Sequence, residues 1–161
     1  MEEKLEVMSR ALSAVVARAA ATELPCEIQD LKRLSGGANM ETWSLDLVFG
    51  SASQALILRR MPRLAATGAS TPGVLGGMSL GTEASLLTLA GRYGVDVPTV
   101  TVILEESDGL GNGYIMSRER GEALPFKLLA EARYAEALEG LAYRCGESMA
   151  RIHSVPLDEL P

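Results

Sequence analysis

The feature that most constrains the fold is a series of three short apolar runs between residues 26 and 61. Gly36-Gly37 separates the first run from the second, and Gly50-Ser51 separates the second from the third. In the second run, "METWSLDLVF", apolar and polar side chains alternate as in a half-buried strand, whereas a helix would need a period near 3.6. Short runs joined by glycine turns are typical of hairpins, so this region predicts a three-stranded antiparallel meander.

Helical and strand-like patterns surround this meander. Apolar residues recur at helical spacing near both ends of the chain and again after the glycine- and proline-rich segment 62–79, where Ser79 is placed to cap a helix. Outside the meander, the predicted helices cover residues 3–21, 80–94 and 132–153, and the predicted strands cover 97–106 and 113–119. This order predicts an α+β domain in which one antiparallel sheet is backed by a helix.

Composition limits the function classes. The net charge of −6 argues against non-specific nucleic-acid binding, which needs clustered Lys and Arg. No segment is long and apolar enough to span a membrane, and the acidic start Met1-Glu2-Glu3 is unlike a signal peptide. Cys26 and Cys145 fit no metal-binding spacing and are predicted to be reduced, buried thiols. A cytoplasmic location is the default expectation for such a chain.

Five segments in a fixed order carry a resemblance to a known family. They read "LSGGANMETW", "LILRRMP", "TEASLLTLAGRYGVDVPTV", "GYIMSRERGEAL" and "MARIHSVPLDEL". Together they resemble the bacterial aminoglycoside phosphotransferase/choline kinase-like family, nearest the branch whose members often sit beside acyl-CoA dehydrogenases. The resemblance covers residues 30–160, and its specificity lies in the ordered set and not in any one motif.

This resemblance implies a division of the chain. Residues 25–121 would form a protein-kinase-like amino-terminal lobe that binds ATP, with a five-stranded antiparallel sheet and a packed helix. An N-terminal helix would occupy residues 1–24. Residues 122–161 would form helices that lead toward an absent carboxy-terminal lobe.

In the family, the glycine turn of the first hairpin covers the phosphates of ATP. By resemblance that turn contains Gly36, Gly37 and Asn39, although Asn39 and Met40 depart from the usual Gly-Gly-x-Ser-Asn pattern. Glycine suits this position because backbone N–H groups can approach an anion with no Cβ in the way. The alternative is a plain hairpin turn, which a short glycine pair taken alone favours.

The resemblance also implies a charged pair, a strand cation for the phosphates held by an acid on the next helix. By alignment the cation is Arg59, at the end of "LILR", and the acid is Glu83. Arginine supplies the positive charge, and its planar fork can bind two phosphate oxygens. The alternatives are a solvated arginine at a strand end and a first-turn acid that complements the helix dipole. The spacing of the two residues favours the pair.

Adenine is bound in this family by main-chain groups after the last strand. Here the carbonyl of Ser117 would accept from the adenine amino group, and the amide of Glu119 would donate to the ring. Met116 would flank the base, and Ile57, on the same strand face as Arg59, would form a wall of the adenine slot. The alternatives are an ordinary edge-strand end and a core isoleucine.

The catalytic loop of the family has no counterpart in this sequence. None of the five aspartates, at positions 30, 46, 96, 108 and 158, follows a His-Gly pair. The resemblance therefore implies the ATP-binding lobe of a small-molecule phosphotransferase that is inactive alone, with the Mg²⁺ ligands and the contact to a hydroxyl substrate in the missing lobe.

A second hypothesis is a non-catalytic kinase-like interaction or scaffold module. In both hypotheses the isolated lobe exposes the apolar surface that would meet its partner, so self-association is expected.

Overall fold

The computed structural model of the protein describes residues 2–20, 26–34, 40–61 and 78–161. The strands are Glu27–Leu34 (β1), Glu41–Phe49 (β2), Ala52–Met61 (β3), Val100–Ile103 (β4) and Asn112–Ser117 (β5). The α-helices are Glu2–Ala19 (α1), Leu80–Arg92 (α2), Pro125–Ala130 (α3), Ala135–Glu139 (α4) and Leu141–His153 (α5). The strands form one antiparallel sheet in the order β1-β2-β3-β5-β4. The predicted α+β class with a five-stranded antiparallel sheet is therefore confirmed.

The β2–β3 hairpin is the longest paired unit of the sheet. It runs from the Glu41–Arg60 pair to the Phe49–Ala52 pair without a register shift. Gly50, in the connecting turn, has a φ of 61°, in the left-handed region that glycine adopts without steric cost. The alternation predicted for β2 is present, because Leu45 and Leu47 are both buried on one face.

Helix α1 covers the face of the sheet that carries Leu45 and Leu47. Its apolar stripe, which includes Leu12 and Val16, belongs to the same buried cluster as the central strands. At the end of α1, Arg18 forms ion pairs with residues of the β4–β5 connection. The N-terminal helix therefore contributes directly to the main core of the domain.

Helix α2 covers the opposite face, at the side of the sheet formed by β5 and β4. Leu80 and Ala84 pack against Tyr114, and this cluster is separate from the core under α1. The predicted cap is present, since the Ser79 hydroxyl accepts a hydrogen bond of 3.0 Å from the backbone N–H of Thr82. The sheet is thus packed on both faces, where the sequence predicted one backing helix.

The apolar stripe predicted over residues 132–153 does not form a buried face. The segment divides into a 3₁₀ turn, α4 and α5, and most of its large apolar side chains, such as Leu141 and Met149, are exposed, while Leu138 is half-buried. Cys145 is also exposed, so the prediction of a buried thiol is wrong at this position, whereas Cys26 is half-buried. Helical periodicity shows that one face is apolar, but it does not provide a surface for that face to pack against.

Across the described ranges, no helix combines the length and the hydropathy needed to cross a bilayer.

Candidate functional site

Arg59 on β3 and Glu83 on α2 form an ion pair that joins the sheet to the helix. The distance from Arg59 Nε to Glu83 Oε1 is 3.2 Å, and the two side chains are 30% and 31% exposed. Glu83 lies in the first turn of α2, where the helix dipole stabilises a carboxylate. The structure therefore brings together the two residues that the sequence paired.

Tyr114 on β5 is a third member of this cluster and was not among the predicted site residues. It lies opposite Arg59 in the β3–β5 ladder and is 1% exposed. Its hydroxyl donates a 3.1 Å hydrogen bond to Glu83 Oε1. Burial, then the negative charge of Glu83 and this hydrogen bond, raise the pKa of Tyr114 to about 12, although the charge of Arg59 acts to lower it.

The guanidinium of Arg59 faces Glu83 through its Nε atom. Among the described residues, its buried Nε has no acceptor in good hydrogen-bonding geometry, even though Glu83 lies within ion-pair distance. A buried N–H group without a well-aligned acceptor lowers the stability of the fold unless a further partner satisfies it. A partly exposed guanidinium whose Nε lies beside a carboxylate can use its terminal nitrogens to bind an anion from solution.

Replacing Tyr114 by phenylalanine is expected to lower the free energy of unfolding by about 1 kcal/mol at neutral pH, because Glu83 loses a donor. Since the pKa of Tyr114 is raised from 10.0 to about 12, its stabilising effect is complete below pH 10.0 and is lost as the pH rises toward 12. Chemical denaturation of the unaltered chain and of Tyr114→Phe should show a difference in unfolding free energy that shrinks above pH 10.0. A difference that stays constant there would contradict the raised pKa.

Ile57 and Met116 lie on the same face of the sheet as Arg59. Ile57 is two residues before Arg59 on β3, and it pairs with Met116 on β5 and with Ser44 on β2. Met116 packs against the cluster under α2, and Ile57 is half-buried. Ser44, Ile57 and Met116 therefore form one strip across three strands, next to the Arg59–Glu83 pair, and this strip contains both residues predicted for the adenine slot.

Ser117 and Glu119, the predicted contacts to adenine, lie at the end of β5. The backbone N–H of Ser117 donates to the carbonyl of Thr99 at 2.9 Å, and its hydroxyl accepts from the Thr99 N–H at 2.9 Å. The same hydroxyl donates to Glu119 Oε1 at 2.6 Å. These bonds fix the start of the segment that follows the sheet.

Arg118, between these two residues, has a position that was not predicted. Its guanidinium forms an ion pair of 2.7 Å with Asp46 on β2 and donates a 2.5 Å hydrogen bond to the hydroxyl of Ser44. This contact crosses the sheet face that carries Ile57. No signal in the sequence joins residue 118 to β2, because the contact depends on the strand order.

The predicted phosphate-covering turn, with Gly36, Gly37 and Asn39, lies outside the described residues. The strands that it joins are described, and Leu34 at the end of β1 lies opposite Thr42 on β2. Thr42 in turn lies opposite Arg59 on β3. The ends of β1 and β2 that flank the turn therefore lie at the level of Arg59.

Metal ligation has no clustered candidate in the part of the chain that the structure describes. No group of three or more His, Cys, Asp or Glu side chains there is arranged to hold an ion.

Comparison with protein-family models, curated proteins and solved structures gave no match for this chain.

Proposed function

We propose that the chain is the ATP-binding amino-terminal lobe of a small-molecule phosphotransferase, which transfers the γ-phosphate of ATP to a hydroxyl group. The observation that carries the proposal is the Arg59–Glu83 ion pair. In kinase-like enzymes, a cation on the third strand contacts the α- and β-phosphates, and a carboxylate on the next helix holds it there. In this chain the pair joins β3, the third described strand, to α2, the helix that follows it among the described elements.

Arg59 and Glu83 would have different roles in phosphate binding. With Nε turned toward Glu83, the terminal nitrogens of Arg59 form the part of the fork that would meet two phosphate oxygens. Glu83 keeps the guanidinium in place, and Tyr114 in turn fixes Glu83 by its hydrogen bond. The side chain that binds the anion is thus oriented before the ligand arrives, which lowers the entropic cost of binding.

The strand order supports the same proposal. Arg59 lies level with the ends of β1 and β2 that flank the glycine turn, whereas the segment after β5 begins opposite Ala55, further along β3. A nucleotide on this face would have its phosphates near Arg59 and its base against Ile57 and Met116. The main-chain groups of Ser117 and Glu119 would then bind the edge of the base.

The chemistry that follows binding is expected to need a second lobe. Mg²⁺, when bound, neutralises charge on the phosphates, and its ligands together with the catalytic aspartate are expected in a carboxy-terminal lobe. That lobe would also select the hydroxyl substrate. This chain alone is therefore expected to bind nucleotide weakly and to be inactive.

A non-catalytic interaction or scaffold module is the second candidate, and one observation favours it. The segments after the sheet expose many large apolar side chains, including Phe126, Leu129, Tyr143, Met149 and Leu157. Exposed apolar surface of this kind is typical of protein–protein contacts, and it supports the expected self-association.

Calorimetric titration of Mg·ATP into the chain, with Arg59→Ala in parallel, tests the proposed function. Arg59→Ala is expected to weaken binding by about tenfold or more, because it removes charge-assisted hydrogen bonds to phosphate. Arg10→Ala is the matched control, since it removes the same charge from an exposed site on α1, which covers the other face. The affinity of Arg10→Ala for Mg·ATP should equal that of the unaltered chain.

Two results would count against the proposed function. The first is the absence of heat at millimolar nucleotide from a chain that still unfolds cooperatively, which would favour the scaffold candidate. The second is an equal loss of affinity in Arg59→Ala and Arg10→Ala, which would indicate attraction by overall charge without a role for the Arg59–Glu83 pair.

A further inference from the structure

The side chain of Arg118 crosses the face of the sheet that carries Ile57, from the end of β5 to β2. Its backbone N–H donates to the carbonyl of Ala55 at 3.0 Å, which continues the β3–β5 register one step past the Leu56–Ser117 pair. Ala55 lies opposite Asp46 on β2. Arg118, Ala55 and Asp46 therefore form one row across three strands.

The length of this contact shows where the side chain must lie. Neighbouring strands are about 4.8 Å apart, so β5 and β2 are separated by about 10 Å with β3 between them. Arg118 Nη2 nevertheless reaches Asp46 Oδ1 at 2.7 Å, and Nη1 reaches Ser44 Oγ at 2.5 Å. The arginine stem therefore passes over β3, where Ala55 is small enough to leave room for it.

The guanidinium ends in the strip that the proposed function assigns to the base. Ser44, which it contacts, lies opposite Ile57 on β3, and Ile57 lies opposite Met116 on β5. A planar base that packs against Ile57 would need the space beside Ser44. The guanidinium and the base therefore compete for one area of the sheet face.

We propose that Arg118 is a latch that closes the base part of the nucleotide site and leaves when a nucleotide binds. This proposal rests on the proposed function. The Arg118 and Asp46 side chains are 35% and 26% exposed, so water and salt screen the ion pair and it can open at modest cost. While the latch is closed, the measured affinity falls in proportion to the fraction of open molecules.

Opening the latch by substitution should strengthen nucleotide binding. In calorimetric titrations with Mg·ATP, Arg118→Ala is expected to bind about tenfold more tightly if the latch is closed about nine-tenths of the time. Asp46→Asn, which weakens the same contact from β2, should act in the same direction. The double variant should gain little more than Arg118→Ala alone, because both substitutions break one contact.

Arg120→Ala is the matched control, because Arg120 is exposed and lies two residues further along the same segment. The Arg120→Ala substitution removes an equal positive charge but leaves the Arg118–Asp46 contact in place. The affinity of this variant for Mg·ATP should therefore equal that of the unaltered chain or be slightly lower. A gain in affinity that is specific to Arg118→Ala and Asp46→Asn cannot come from simple destabilisation, which would weaken binding.

The outcomes separate the latch from the proposed function. Equal or weaker binding by Arg118→Ala, alongside binding by the unaltered chain that depends on Arg59, overturns the latch and leaves the proposed function standing. An absence of binding in the unaltered chain and in every variant overturns both.

Discussion

Replacing Glu41 by alanine is expected to lower the free energy of unfolding by about 3–5 kcal/mol, because it leaves a buried guanidinium without its partner. The side chains of Arg60 and Glu41 are 8% and 14% exposed. Glu41 Oε2 accepts hydrogen bonds from Arg60 Nε at 3.0 Å, from Arg60 Nη2 at 2.8 Å and from Trp43 Nε1 at 3.1 Å. The Glu41→Ala substitution removes all three hydrogen bonds.

The large effect follows from the way this network joins separate elements. Glu41 begins β2, Arg60 lies near the end of β3, and Arg60 Nη1 also donates to the carbonyl of Leu110 before β5 at 3.1 Å. Removing one partner leaves the other charge desolvated in the core, which costs more than removing both partners. The double variant Glu41→Leu/Arg60→Met is therefore expected to be more stable than Glu41→Ala.

Urea denaturation of these variants measures the difference, and Glu6→Ala is the matched control. Glu6 pairs with Arg10 on the exposed surface of α1, and exposed pairs of this kind contribute about 0.5 kcal/mol or less. Similar losses of unfolding free energy in Glu41→Ala and Glu6→Ala would show that the Glu41–Arg60 pair is exposed to solvent.

The contribution of Glu41 should also depend on pH. Burial acts to raise the pKa of Glu41, but hydrogen bonds from Trp43 and Arg60 and the charges of Arg60 and Arg33 outweigh burial and hold the pKa below 4.5. A lowered pKa stabilises the folded chain fully above pH 4.5, and this stabilisation is lost as the pH falls through the lowered value. The difference in unfolding free energy between the unaltered chain and Glu41→Ala should therefore become smaller below pH 4.5.

Gly113→Ala is expected to cause the second large loss, about 3 kcal/mol of unfolding free energy, because the new methyl group has no space. A Cβ at Gly113 would lie 2.4 Å from the carbonyl oxygen of Arg59 and 2.9 Å from the Cα of Arg60. These are backbone atoms of the neighbouring strand, so β3 and β5 would have to separate locally. Because Arg59 would move with its strand, the proposed nucleotide binding should weaken as well.

Thermal unfolding measures this loss, with Gly146→Ala as the control for the same chemical change. A Cβ at Gly146, inside α5, has nothing within 4 Å, so alanine there should stabilise the chain by up to about 1 kcal/mol through helix propensity. A Gly113→Ala chain as stable as the unaltered one would show that β3 and β5 leave room for a methyl group at Gly113.

Local features of the fold could be predicted because they depend on local interactions. The alternation along β2 and the Ser79 cap each follow from neighbouring residues, and both are present in the structure. The Arg59–Glu83 pair was expected from the family resemblance, and α2 follows β3 among the described elements. Such features need no knowledge of how distant strands pair.

Tyr114 and Arg118 could not be found in the same way. Both owe their positions to the pairing of β3 with β5, which are not consecutive strands, and alternation alone does not fix which strands become neighbours. The exposed apolar stripe of α5 shows a second limit of prediction from sequence. Periodicity identified its apolar face, but the location of a packing surface depends on the tertiary arrangement.

The placement of β5 between β3 and β4 has a consequence for folding kinetics. The first three strands leave the ribosome before β4 and β5 and can form their hairpins early, because each contact is local in sequence. Until β5 is synthesised, β3 has a free edge whose backbone groups can pair with other chains. Insertion of β5 is therefore expected to be the slow step, and chaperone protection would matter most in the interval before it.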